Sequence, residues 1–273
     1  MNISDLWPES AEKLGIVSNR FFLKLAYTLE ARLYKRSVMV SGQTQGIVKS
    51  ISSRFPKTKT FWLPNGIDTE KYDLTSIDKQ WRERNGFAPE DFIVLYAGIL
   101  GHAQALEVIL KAAKILSAEP AIKFIIVGDG PEKDKLHDLK DALALTNIYF
   151  YPNQPTGNMP AIIYASDTAI VPLKNIPLFH GAIPSKLFEN LALGKPILLG
   201  VDGEARELFI DRGKAGLFYT PENAEELSAS ILKLKNEPAL CRQLGDNGRR
   251  YVNEYFNRAD IAAAFYKTLT TLA

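Results

Sequence analysis

The sequence predicts an α/β fold organised around a parallel sheet, and three observations carry that expectation. From residue 91 onward, short apolar runs of strand type alternate with amphipathic runs of helix type, joined by short links. The strand runs are apolar throughout, as in parallel sheets covered by helices on both faces. Several of them end in glycine-bearing loops, and open α/β sheets bind ligands outside the carboxyl ends of their strands.

The series opens with Phe92-Ile93-Val94-Leu95-Tyr96-Ala97-Gly98, a buried strand closed by glycine. Residues 105–116 follow as a helix with Leu106, Ile109, Leu110 and Ala113 on one face. Residues 122–127 form the next strand, broken by Gly128-Asp129-Gly130-Pro131, and 132–145 read as a helix. A strand at 148–151, a helix near 159–165 and a strand at 168–173 continue the alternation. Pro184 to Gly194 is then a short helix with both ends marked, followed by the buried strand 196–199. Its residues Leu187, Phe188, Leu191 and Ala192 share one face; Lys186, Glu189 and Asn190 share another. Glu189 and Lys186 are either a solvated surface pair or part of a site that holds hydroxyls and phosphates. Helices at 203–211 and 224–235 flank a last strand at 216–219. Loops at 98–104, 128–131, 151–158 and 173–184 all leave strand carboxyl ends and are expected to converge on one cleft.

The first 66 residues are patterned like the end of a second such domain. They hold Asp5-Leu6-Trp7-Pro8, an amphipathic helix at 19–36, a strand at 37–40, a helix at 43–53 and a strand at 60–63. Pro64-Asn65-Gly66-Ile67-Asp68 is turn chemistry. The 19–36 helix sets Phe21, Phe22, Leu25, Leu29 and Leu33 against Arg20, Lys24, Arg32, Lys35 and Arg36. Such a helix either lies in a lipid interface or, more commonly, packs on a sheet. The sequence is thus expected to begin inside a domain.

Composition narrows the function. Apolar content of 46% and charged content of 23% are ordinary for a globular protein, and a net charge of +2 with dispersed cations gives no argument for nucleic acid. One cysteine, Cys241, excludes an internal disulfide, which suits a cytoplasmic protein. His102, His137 and His180 lack metal-ligand spacing, so no metal site is expected.

The ordered motifs resemble a known family. Pro64-Asn65-Gly66-Ile67-Asp68, Tyr96-Ala97-Gly98, Ile126-Val127-Gly128-Asp129-Gly130-Pro131, Tyr164-Ala165-Ser166-Asp167 and Pro184-Ser185-Lys186-Leu187-Phe188-Glu189 are similar to the group 1 (family 4) glycosyltransferases of the GT-B fold. Asp5-Leu6-Trp7-Pro8-Glu9-Ser10 and Ala103-Gln104-Ala105-Leu106-Glu107 resemble the branch that builds bacterial surface polysaccharides, lipopolysaccharide among them. The resemblance implies an acceptor-side Rossmann-like remnant at 1–66, a nucleotide-sugar domain at 67–254 and a terminal helix at 255–273, running through Leu272, that crosses back. It implies retaining transfer, without a bound cofactor or metal, from a UDP-sugar to a lipid-linked saccharide, by a cytoplasmic protein peripheral to the inner membrane face.

Carried over by residue, the resemblance gives Glu189 the donor ribose and Gly98, Leu100, Gly101 and Gln104 the diphosphate loop, read here as backbone N–H groups at a helix N-terminus. Gly128, Asp129 and Gly130 border the nucleotide. Tyr151, Pro152 and Asn153 lie near the base, and Ser185, Lys186 and Leu187 complete the donor site. Asp5 and His180 are the polar groups expected near the reaction centre. The pattern also departs from the family. Ile99 and Gln104 stand where relatives carry the Arg and Lys diphosphate clamp, Gly181 where the first of two paired glutamates stands, and Ser4 where a histidine is common. The alternative is a catalytically incomplete donor-binding module, or half of a split enzyme whose partner chain supplies the missing part. A nucleotide-sugar epimerase lacks its carboxylates and histidines here, and a dehydrogenase lacks its Gly-x-Gly-x-x-Gly.

Overall fold

The computed structural model describes residues 1–13, 15–72, 74–75 and 77–271. It is an α/β protein with two parallel sheets. The smaller one consists of β1 (Asn2–Ile3), β2 (Val40–Gly42) and β3 (Thr60–Trp62), connected through α1 (Glu9–Lys13), α2 (Arg20–Arg36) and α3 (Gln45–Arg54). Asn19 caps α2 by accepting from the N–H groups of Phe21 and Phe22, at 3.0 and 3.2 Å. The strand expected at 37–40 begins only at Val40. Ser37 closes α2 instead, with its N–H and hydroxyl both donating to the Leu33 carbonyl at 3.0 and 2.8 Å. Ile3, Tyr34, Val40, Ile47 and Ile51 form the core of this unit.

After α4 (Trp81–Arg84), the larger sheet is assembled from β4 (Phe92–Ala97), α5 (Glu107–Ile115), β5 (Ile122–Val127), α6 (Lys133–Ala142), β6 (Ile148–Tyr151), α7 (Met159–Ala165), β7 (Thr168–Pro172), α8 (Lys186–Ala192), β8 (Ile197–Gly200) and β9 (Gly216–Phe218). The strand order is β6-β5-β4-β7-β8-β9, with every pairing parallel. Order reverses between β4 and β7, which is where such sheets open a ligand crevice. Strand residues alternate between the two covered faces. Val94, Phe124, Ile126 and Leu198 pack on the side of α5 and α9 (Ala224–Asn236). Ile93, Leu95, Ile125 and Val127 pack with Ile162 and Ile163 of α7.

Two helices differ from expectation. The segment at 203–211 forms a wide π-type turn, Arg206–Arg212, which lets adjacent Leu208 and Phe209 both point inward. The helix expected at 255–272 begins only at Arg258, as α11 (Arg258–Thr270), and a helix that was not expected, α10 (Pro238–Tyr255), precedes it; Leu272 lies outside the described residues. The break is imposed at Phe256. Its ring is buried against Phe188, Phe209, Tyr251 and Trp62, and its carbonyl accepts the Ile67 N–H at 2.9 Å. Arg258 N–H then donates to the Ile67 carbonyl, and Asn257 caps the new helix. From there α11 runs back to the smaller sheet, where Phe265 lies 5.4 Å from Phe61.

A second tie joins the two sheets. Glu204 accepts from the N–H groups of Gln45 and Gly46, both at 2.7 Å, so a carboxylate of the larger unit caps α3 of the smaller one. Glu204→Ala removes two charge-assisted bonds while leaving the Thr44 cap in place. The loss should be about 1–2 kcal/mol, read as a lower urea midpoint, with faster amide exchange at 45–48. An unchanged midpoint would show that Glu204 does not hold the units together.

Candidate functional site

The site is built around α8. Pro184 leads into it with its carbonyl accepting the Leu187 N–H at 3.1 Å, and Gly194 closes it at φ 69°, a conformation suited to glycine. Leu187, Phe188, Leu191 and Ala192 are buried, as the spacing requires. Asn190 departs from its expected polar face. It is buried, and its amide donates to the Lys186 carbonyl at 2.7 Å. Lys186 is likewise no surface partner of Glu189. Its ammonium nitrogen is buried 3.8 Å from the centroid of the Tyr96 ring.

Two clefts flank the segment that enters α8. The first, of 610 Å³, is lined by Ser185 and Glu189 together with Asp68, Lys71, Tyr72 and Arg258. Burial, then the neighbouring Glu189 carboxylate, push the Tyr72 hydroxyl far above its ordinary range. Arg258 donates to the Gly66 carbonyl at 3.0 Å. The second cleft, of 510 Å³, lies between the sheets. Asp5, Gln104, Gly181 and Pro184 line it, with Thr44 and Gly46 from the smaller unit. Asp5 and Gln104 are thus brought together, while Glu189 faces the neighbouring cavity.

Between β4 and β5 the two glycine loops pack backbone on backbone. A Cβ on Gly128 would lie 1.9 Å from the Gly98 carbonyl oxygen, and one on Gly130 would lie 2.5 Å from that of Leu100. The N–H groups of Gly98 and Leu100 donate to the carbonyls of Val127 and Asp129, at 2.9 and 2.8 Å. Neither is free for a diphosphate, contrary to expectation; within 98–101, Ile99 and Gly101 carry the N–H groups that are unpartnered among the described residues. Asp129 is exposed, and the Gly130 N–H and Lys133 hold its carboxyl below the usual carboxylate range.

Other expected residues are placed elsewhere. The side chains of Leu100 and Leu187 are core, at 1% and 0% exposure, so only their backbones can meet a ligand. His180 sits in the turn Pro177–Gly181 with its carbonyl against Gly203, and it lines neither cleft. Tyr151 packs 5.5 Å from Trp81, and Pro152 and Asn153 are exposed; none of the three lines the Glu189 cleft. Tyr72, Lys71 and Arg258 escaped the sequence reading. Arg258 had a signal, since it follows an asparagine with helix-cap chemistry; Tyr72 had none.

Residues 77–251 match the family model described as "Glycosyl transferases group 1". The chain is 33% identical over 175 residues to a protein named for colanic acid biosynthesis, the glycosyl transferase WcaI of Escherichia coli (strain K12), covering 63% of this chain and 42% of that one. It is 25% identical over 248 residues to an uncharacterized glycosyltransferase of Methanocaldococcus jannaschii, covering 88% of this chain and 61% of that one. The chain therefore spans about half the length of these relatives. Among solved structures, Anabaena HepE in complex with UDP and glucose superposes with a TM-score of 0.79 at 20% identity, over 98% of this chain and 70% of that one. Sucrose-phosphate synthase from Thermosynechococcus elongatus gives 0.80 at 18% identity, over 100% and 68%. The fold is thus that of the GT-B glycosyltransferases, and by the match over most of its length this chain belongs to the group 1 glycosyl transferases.

Proposed function

We propose that the chain carries the donor half of a family 4 glycosyltransferase, which takes a UDP-sugar and transfers a hexosyl or N-acetylhexosaminyl group, with retention, to a lipid-linked saccharide in surface polysaccharide synthesis. The observation that supports this reading best is Glu189 in the first turn of α8, its carboxylate bordering the 610 Å³ cleft. A carboxylate there can accept both ribose hydroxyls, and charge-assisted bonds of this kind are the stronger class. HepE, a fold neighbour, is described with UDP and with UDP-glucose, and WcaI is named for colanic acid biosynthesis. The acceptor belongs in the cleft between the sheets, near Asp5. No side chain of that cleft is paired as nucleophile and base, so the reading assigns departure to stabilisation of the diphosphate, with attack on the same face.

The lipid-linked acceptor is supported by α2. Its inner face buries Leu23, Ala26 and Tyr34, while Phe21, Leu25 and Leu29 are 81%, 60% and 53% exposed. The helix carries five cations, and its only acid, Glu30, is buried against Arg54 at 2.8 Å. An apolar strip beside cations with no free acid suits an anionic bilayer surface. No helix among the described residues is long and apolar enough to cross a membrane. A second reading, a donor-binding module completed by a partner chain, is favoured by β1, which pairs only with β2 among the described residues. UDP binding without sugar transfer would favour it.

Glu189→Ala should weaken UDP binding by about 10- to 100-fold in calorimetry; unchanged affinity removes the ribose role. Vesicles rich in phosphatidylglycerol should sediment the chain, and Phe21→Ser with Leu25→Ser should reduce that binding at least tenfold. Equal binding by the double variant, or none by the parent chain, would overturn the lipid contact.

A further inference from the structure

Lys186 is the charged residue of α8 whose burial structural economy does not explain. Its Nζ is buried with no hydrogen-bond partner among the described residues. It rests over the Tyr96 ring at 3.8 Å, and a Cβ on Gly98 would lie 2.6 Å from it. The ammonium thus occupies the space that the missing Gly98 side chain leaves, directly behind the loop 98–101. Tyr96 is itself held by its hydroxyl, which donates to the Ile99 carbonyl at 2.6 Å. Burying an ammonium without a partner is costly, and an apolar residue of similar volume would serve the core better.

The loop beside it lacks what a diphosphate needs. Position 99 is an exposed isoleucine, position 104 a glutamine, and two of the loop N–H groups are committed to the neighbouring strand loop. Resting on the donor-site reading above, we propose that Lys186 is the cation of that site: stored over Tyr96 when the site is empty, and moved through the gap at Gly98 onto the phosphate oxygens of a bound nucleoside diphosphate.

The stored state is also electrically prepared. Burial holds the ammonium down to about 7, opposed only by Glu189, the one charge acting on it. From β4 the facing group is the Tyr96 phenol, which burial keeps neutral well above that range; Tyr72 reaches Glu189 rather than Lys186. An arriving diphosphate raises the affinity of Lys186 for its proton. Above pH 7 the empty site therefore holds a neutral amine and the occupied site an ammonium, so binding takes up a proton and weakens as pH rises. Below pH 7 the amine is already charged and uptake vanishes.

Calorimetry of UDP binding at pH 8.5, in two buffers of different ionisation enthalpy, tests this; there the terminal phosphate, with a pKa near 6, is fully ionised. The parent chain should take up close to one proton per UDP and none per uridine. Lys186→Met should abolish uptake, weaken UDP by about 10- to 100-fold, leave uridine affinity unchanged, and keep or raise the melting temperature. Adding Ile99→Arg to that variant should restore part of the UDP affinity without the proton. Equal UDP affinity in Lys186→Met, or equal losses for UDP and uridine, would overturn the role of Lys186 and leave the donor site standing. Failure of the parent chain to bind UDP would overturn both.

Discussion

The contact on which the site depends is the backbone-to-backbone packing of the loops after β4 and β5. Gly98, Gly128 and Gly130 all have φ near 150°, and each has another atom where a Cβ would stand. Without side chains, the loops share carbonyl and N–H groups directly, which extends the β4–β5 ladder beyond the strands. This fixes the floor of the crevice at the reversal of strand order, and it fixes where Lys186 can lie. A side chain on Gly98 would fill the same space as the Lys186 ammonium. The glycine and the lysine are therefore one structural unit, drawn from residues far apart in the chain.

A second constraint positions α8 against that floor. Phe188 on its buried face meets Phe209 and Phe256, at 5.5 and 5.2 Å between ring centroids. Through Phe256 the same cluster reaches Trp62 of β3, and the Ile67 backbone pairs there with Asn257. One buried ring thus ends α10, starts α11 and anchors the linker between the sheets. The wide turn at Arg206–Arg212 serves the same cluster by turning Phe209 inward. Glu189 follows Phe188 on this helix and lines the same cleft, so its place there rests on the aromatic packing beside it.

Much of this was legible in the sequence because parallel strands are marked by continuous apolar runs and their ends by glycine. β5, β6 and α7 fall where the pattern put them. What was not legible depended on contacts distant in sequence. The interruption at Phe256 comes from its burial against residues nearly fifty positions or more away, and a helical period says nothing about that. Asn190 and Lys186 read as surface residues by spacing; only the third dimension shows that the loop glycines leave room for one and that the helix's own carbonyl holds the other. The Glu204 cap on α3 had no local signal at all, since the helix it serves is over 150 residues earlier.

The distribution of charge then separates binding from chemistry. The Glu189 cleft mixes both signs, with Asp68 and Glu189 facing Lys71 and Arg258, which suits a polar ligand of hydroxyls. The inter-sheet cleft has Asp5 and Glu9 against Lys13, and Lys13 is already paired with Glu9 at 2.6 Å. Neither contains a cation held rigidly for a departing diphosphate. Electrostatic stabilisation is effective where a charge is desolvated, and beside the loop 98–101 the desolvated cation is Lys186; Lys195, beyond the other end of α8, is also desolvated but has Asp167 for a counter-charge. A fold that keeps an unpartnered ammonium beside a phosphate-type loop, when a methionine would pack as well, accepts a loss of stability at that position. That loss is intelligible if the charge is needed only while the site is filled.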